Sequence, residues 1–251
     1  MIDPEIKELL EEKTAAYNNL RFIDTDPIRI PHSFQGKEDI EIAAFLTATI
    51  AWGNRKMIIR NAEWMMDLLG NSPYDFVMEA DPGQIDHFAH RTFQTVDLHF
   101  FVLALRNIYT QHGGLEAVFA RHARGDRLQL AIHEFKKTFF EIEHPLRTRK
   151  HLPDPMTGSA AKRINMFLRW MVRKDPAGVD LGIWDALHPS QLSCPLDVHS
   201  GKVARKLGLL NRKQNDAKAL LELDRNLRNL DPLDPVKYDF ALFGLGVFEG
   251  F

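Results

Sequence analysis

The 251-residue sequence predicts an all-α fold of about ten helices. Three observations predict it. Apolar residues recur at helical spacing along nearly the whole chain. The apolar–polar alternation that marks strands never holds for long. Glycine and proline fall between the periodic stretches rather than inside them. With 45% hydrophobic and 26% charged residues the composition is ordinary for a globular protein, and the length suffices to bury a sizeable core.

The elements follow in order. EIKELLEEKTAAY, residues 5 to 17, sets Ile6, Leu9, Leu10 and Tyr17 on one helical face. After the proline-rich link DPIRIPHSF comes a helix over about 38–52, closed by Gly53, a residue suited to a helix C-terminus. Its segment IAAFLTATIAW is too short to cross a membrane and carries two threonines, so it reads as a buried core helix. A helix over 55–69 ends at Gly70, and proline pairs near 72 and 81 punctuate the next part. Three helices are expected at 95–111, 114–123 and 127–141, then a turn-rich break, HLPDPMTG, at 151–158. The remaining helices are placed at 159–173, 198–208, 214–228 and 235–246. No repeat and no clear linker divides the chain, so residues 1–251 read as a single domain with room for two lobes.

The single cysteine, Cys194, excludes an intramolecular disulfide, a four-cysteine iron–sulfur site and a cysteine-rich zinc site. The histidines of DHFAH (86–90) and EIEH (141–144) lack the spacing of a zinc motif, so neither metal nor cofactor is expected. The stretch MIDPEIKELLEEK is acidic and helical, not a basic leader with an apolar core, and a cytoplasmic protein without membrane contact is expected. Trp52, Trp64, Trp170 and Trp184 read as core or interface rather than base-stacking platforms. A net charge of -2 argues mildly against a dedicated nucleic-acid binder. The charge is uneven, however. Arg147 to Lys174 holds eight basic residues and one acid, and Lys202, Arg205, Lys206, Arg212 and Lys213 form a second basic run. Such runs are either solvated helix faces or patches that steer a polyanion.

Two stretches carry chemistry. In MTGSAAKRINMFLRWMVRK, residues 156 to 174, Ser159 is a reasonable N-cap and Lys162 falls in the first helical turn. The positive end of the helix dipole and Arg163 beside it both oppose the ammonium, favouring a neutral, nucleophilic amine. The small residues Gly158, Ser159, Ala160 and Ala161 leave room for a phosphate at the turn amides. A solvated lysine at a helix start is the plainer alternative. In CPLDVHSGKVARKLGLL, residues 194 to 210, Asp197 caps a helix starting near Val198, with His199 in its first turn. Capping alone explains the aspartate. An ionised carboxylate fixed at a rim also suits a reaction passing through a sugar cation.

Together, GSAAK (158–162) and LDVH (196–199) resemble the helix-hairpin-helix DNA glycosylase superfamily, the group of endonuclease III and the 8-oxoguanine glycosylases. IAAFLTATIAWGNR and DFALFGLG resemble its early core helix and its later apolar helix, and the likeness touches residues 38 to 70 and 150 to 250. KRINMFLRWMVRKD and DPVKYDFALFGLG are also similar to a bacterial family related to those enzymes. The resemblance implies two helical lobes gripping double-stranded DNA, damaged or abasic, with a helix-hairpin-helix motif near 150–174. A nucleotide would be flipped into the cleft. Lys162 would attack the sugar carbon to form a Schiff base, and Asp197 would stabilise the sugar cation. Amides of Gly158 to Ala161, with Arg163, Lys202 and His199, would contact the DNA. For the two catalytic groups to meet, the segment DPAGVDLGIWDALHPSQ between them must loop out. The alternative is a nucleic-acid-binding protein without catalysis that uses the same hairpin to hold a phosphate.

Overall fold

A computed structural model of the chain describes residues 3–251. Among these residues the fold is all-α, as the periodicity predicts, with twelve helices rather than ten. They are α1 (Pro4–Tyr17), α2 (Arg21–Thr25), α3 (Lys37–Ile50), α4 (Arg55–Leu68), α5 (Pro73–Glu79), α6 (Thr95–Gln111) and α7 (Leu115–His122). There follow α8 (Gln129–Phe139), α9 (Lys162–Val172), α10 (Val198–Lys206), α11 (Ala217–Leu230) and α12 (Asp239–Val247). One antiparallel hairpin, β1 (Ala89–His90) with β2 (Phe93–Gln94), precedes α6. The two additional helices have simple causes. α2 is too short to show a period. α5 starts on Pro73, where a proline opens a helix instead of breaking the chain. No helix is long and apolar enough to cross a membrane among the described residues.

Two apolar clusters form. The larger surrounds α3, in which every residue from Ile40 to Ile50 is buried. Phe45 lies at its centre, 5.5–5.8 Å from the rings of Phe101, Phe135, Phe139 and Phe167. The smaller gathers α1, α10, α11 and α12 around Leu10, Val203, Leu223 and Leu242. α1 crosses α12 where Gly244 removes a side chain: a Cβ there would lie 2.1 Å from the Tyr17 ring. The Tyr17 hydroxyl in turn donates to Glu249.

The segment between α9 and α10 does loop out, but it is packed rather than free. Leu181 and Gly182 donate amide hydrogen bonds to the Trp170 carbonyl (2.9 and 3.1 Å), and Trp184 donates one to Met171 (2.9 Å). The buried Trp184 indole donates to Glu41 Oε1 and the Tyr109 hydroxyl to Glu41 Oε2, both at 2.6 Å. Burial pushes the Glu41 carboxyl above its usual range, and these two donors pull it back. Asp180 is buried between Arg169 Nε (3.1 Å) and Arg173 Nη1 (3.0 Å), and Arg173 also holds Asp234 (2.9 Å).

These ion pairs dismantle the basic patch that the 147–174 run suggested. Arg169 and Arg173 point inward to acids, Arg163 donates to the Thr49 carbonyl, and Lys174 pairs with Asp185 at 2.6 Å. Arg149 and Lys150 remain exposed, with Arg147 beside them reaching Asp97 at 3.2 Å. Spacing along a chain does not reveal a partner supplied from elsewhere in the fold, and here the partners are Asp180, Asp234 and Asp239.

Candidate functional site

A cavity of about 640 Å3 opens between the two apolar clusters. It is lined by the start of α9, the start of α10 with Pro195 and Leu196 before it, Asp26 and Pro27, the loop from Ala51 to Arg55, and α12, with Phe22, Ile58 and Asn215 completing it. Lys162 and Asp197, 35 positions apart in sequence, both face it.

Lys162 is the first residue of α9. The turn before it is built on Asp154, whose carboxylate accepts from Met156 N (2.9 Å) and whose carbonyl accepts from Thr157 N (3.2 Å) and Ser159 N (3.3 Å). Gly158 is left-handed at φ 95°, and its carbonyl accepts from Ala217 N (3.0 Å), tying the turn to α11. The helix begins later than expected. Ala161, not Ser159, occupies the N-cap position, in the left-handed region at φ 47°, while Ser159 Oγ accepts from Ala161 N at 3.1 Å. The tie to α11 holds residues 158–160 outside the helix, which no local rule about serine caps could disclose.

Three of the turn amides are therefore already engaged: Gly158 N on Pro155 O (3.1 Å), Ser159 N on Asp154 O, and Ala161 N on Ser159 Oγ. Ala160 and Ala161 are buried. Arg163 is likewise committed. Its guanidinium lies 4.7 Å from the centre of the Trp52 ring and donates to Thr49 O, and burial pushes it down to about 10. His199 is exposed at the cavity rim, and Lys202 is exposed further along α10, outside the lining. Trp52, read from sequence as core or interface, is half-buried and forms a wall of the cavity.

The Lys162 amine has Met166 Sδ at 3.6 Å as its hydrogen-bonding neighbour, and no carboxylate lies within 4 Å of it among the described residues. Burial pushes its pKa down. The charges of Asp197, Asp239 and Asp26 oppose that push, and Arg163 adds to it. Asp197 is the N-cap of α10: its Oδ1 accepts from His199 N (2.8 Å), Ser200 N (3.0 Å) and Ser200 Oγ (3.2 Å). Its Oδ2 accepts no hydrogen bond among the described residues. One oxygen thus caps the helix while the other is unengaged. Asn215 Nδ2 donates to the Asp197 carbonyl at 2.6 Å, so the cap is held from the turn before α11 as well.

Asp239, the first residue of α12, is a second carboxylate on the same wall, and sequence reasoning missed it. Burial pushes it up to about 6, against the pull of Arg169, with which it pairs; Cys194 Sγ lies 3.6 Å from its Oδ1. The signal was available. Asp239 opens the apolar run DFALFGLG, and Arg169 stands between the buried Leu168 and Trp170. Two opposite charges embedded in apolar faces call for each other, since neither is tolerated there unpaired. Aromatic rings complete the walls: Trp52 on one side, Phe22, Phe240 and Phe243 on the other, with the Arg55 guanidinium 4.6 Å from the Phe243 ring centre. Among the described residues no three His, Cys, Asp or Glu side chains group in a way that could hold a metal ion.

Residues 26–248 match the family described as "Protein of unknown function (DUF2400)". The chain belongs to that family. No curated protein and no solved structure matches it. The matched DUF2400 region starts at Asp26 and contains every cavity residue named above except Phe22.

Proposed function

We propose that the protein is a DNA N-glycosylase or abasic-site lyase, working through a Lys162 Schiff base on a nucleotide flipped out of duplex DNA. The observation that carries this reading is the cavity itself. It brings an unpaired, pKa-depressed lysine and a carboxylate with one free oxygen to the same aromatic-walled space. Its volume lies within the range of small-ligand pockets, and its faces suit a planar base.

In this reading the neutral Lys162 amine attacks C1′ of the sugar. The bond from C1′ to the base breaks, its electron pair leaving with the base, which takes up one amine proton, and Asp197 stabilises the positive charge that develops on the sugar; the C1′–O4′ bond then opens, O4′ taking the second amine proton, to give the Schiff base. At an abasic site the same amine condenses with the C1′ aldehyde, releasing water. The resemblance to the helix-hairpin-helix glycosylases supports the reading through Lys162 and Asp197. The engaged amides at 158, 159 and 161 do not support a phosphate grip at the hairpin.

The test is a duplex carrying a single abasic site, incubated with the protein and borohydride. A covalent adduct is expected, absent in Lys162→Ala. Salt-sensitive duplex binding without an adduct would replace this reading with that of a binding protein. Neither binding nor adduct would remove DNA from the account.

A further inference from the structure

The hairpin β1–β2 stands beside the cavity, and nothing in the chemistry above uses it. Its register pairs Ala89 with Gln94 and His90 with Phe93, leaving Arg91 and Thr92 as a two-residue tip. Such tips require positive φ at the first position and normally carry asparagine, aspartate or glycine there. Here the residue is arginine, at φ 55°. A bulky residue held in that region marks a position where local preference has been overridden.

The tip is set on a rigid base. His90 is buried, with Asn61 Nδ2 3.0 Å from its Nδ1, Trp52 O 3.3 Å from its Nε2, and the Trp52 ring edge-on at 5.1 Å. Phe93 is buried against Phe101 and His151. Arg147 ties the other side, donating to Thr92 O (3.0 Å) and Gln94 Oε1 (2.7 Å). The Arg91 side chain then lies over Gly53, which lines the cavity: a Cβ at Gly53 would sit 2.9 Å from Arg91 Nη1. Glycine at 53 thus makes room for the guanidinium at the rim, next to Trp52.

Arg91 also differs from the other arginines around the cavity. Arg163 is spent on a carbonyl and a ring, Arg169 on Asp180 and Asp239, and Arg55 lies over Phe243. Arg91 is exposed, and among the described residues no carboxylate lies within 4 Å of its guanidinium. An unpaired fork of N–H donors, carried on an anchored hairpin at the mouth of a cavity, is complementary to a phosphate.

We propose that the 89–94 hairpin is a backbone clamp, in which Arg91 grips a phosphate of the DNA strand beside the nucleotide held in the cavity. This rests on the DNA reading above. It moves the phosphate contact from the 158–161 turn, whose amides are largely engaged, to the hairpin tip beside Gly53.

The test uses the whole protein and a duplex with a single tetrahydrofuran site, a non-reactive abasic analogue, with binding followed by anisotropy over a range of salt. The informative variant is Arg91→Gly. Glycine adopts φ 55° without strain, so its Tm should equal or exceed that of the parent. Its affinity should fall about tenfold, and the slope of log K against log salt should shrink by about one, as for one lost phosphate contact. Arg91→Lys should keep the slope and recover part of the affinity. Unchanged affinity and slope in Arg91→Gly, with the parent binding normally, would overturn the clamp and leave the DNA reading standing. A parent protein that does not bind the duplex would remove both.

Discussion

Asp197 joins two jobs in one side chain, and two substitutions separate them. Oδ1 accepts three hydrogen bonds from the first turn of α10, while Oδ2 accepts none among the described residues, and the side chain lines the cavity. Asparagine preserves an Oδ1 acceptor and ranks with aspartate as an N-cap, so Asp197→Asn should lose only the small charge–dipole contribution, about 0.5 kcal/mol. Alanine removes all three contacts and should cost about 1–2 kcal/mol. At this chain length that is a fall in Tm of about 2–8 °C for alanine and at most about 2 °C for asparagine. The chemistry should not distinguish the two variants. Both substitutions remove the anion that would stabilise the iminium cation formed at C1′, so both should slow borohydride trapping on an abasic duplex by about 10²–10³-fold. Thermal melts and single-turnover trapping on the same preparations provide the comparison. If Asp197→Asn melts as low as Asp197→Ala, or traps within about threefold of the parent, the division of labour between the two oxygens is wrong.

Three further outcomes follow from the same geometry. Burial lowers the folded-state pKa of Lys162, so this side chain opposes folding at any pH below its usual pKa; Lys162→Met should raise Tm at pH 7 while abolishing the adduct, and a lower Tm would contradict this. Gly244→Ala places a methyl group inside the Tyr17 ring and should cost about 1–3 kcal/mol in a denaturant melt, with Tyr17→Ala restoring part of the loss. His151 is buried and pushed down to about 4 from a usual 6.5, chiefly by desolvation, with Asp97 acting against the shift. The fold therefore holds it neutral: its contribution is complete above pH 6.5 and is lost as pH falls towards 4. The stability of His151→Asn should be flatter over that window, and a parallel decline would refute the assignment.

The readability of the sequence varied with the range of the forces involved. α6 falls at 95–111 as its periodicity places it, because one long amphipathic face fixes both ends. The start of α9 does not, because Ala161 is driven into a left-handed conformation by a turn pinned to α11 through the contact between Gly158 and Ala217, 59 positions apart in sequence. Lys162 and Asp197 were legible as a pair because each opens a helix and their motifs could be compared with a family. Asp239 and Arg169 were hidden inside apolar runs, each meaningful only through the other. Trp52 looked like core because its flanks are apolar; its other face borders a cavity that local sequence does not encode.

α1 has a consequence for where this protein can be cut. The matched family segment begins at residue 26, yet Leu10 is fully buried, Phe22 nearly so, and Tyr17 fills the notch at Gly244 on the very helix that carries Asp239 and Phe243. The boundary of the family match and the folding boundary are therefore different places. A fragment trimmed to 26–248 would uncover the apolar back of α12 and leave a sticky seam behind one wall of the cavity. Residues that no family comparison marks are, in this chain, part of what keeps the marked ones in position.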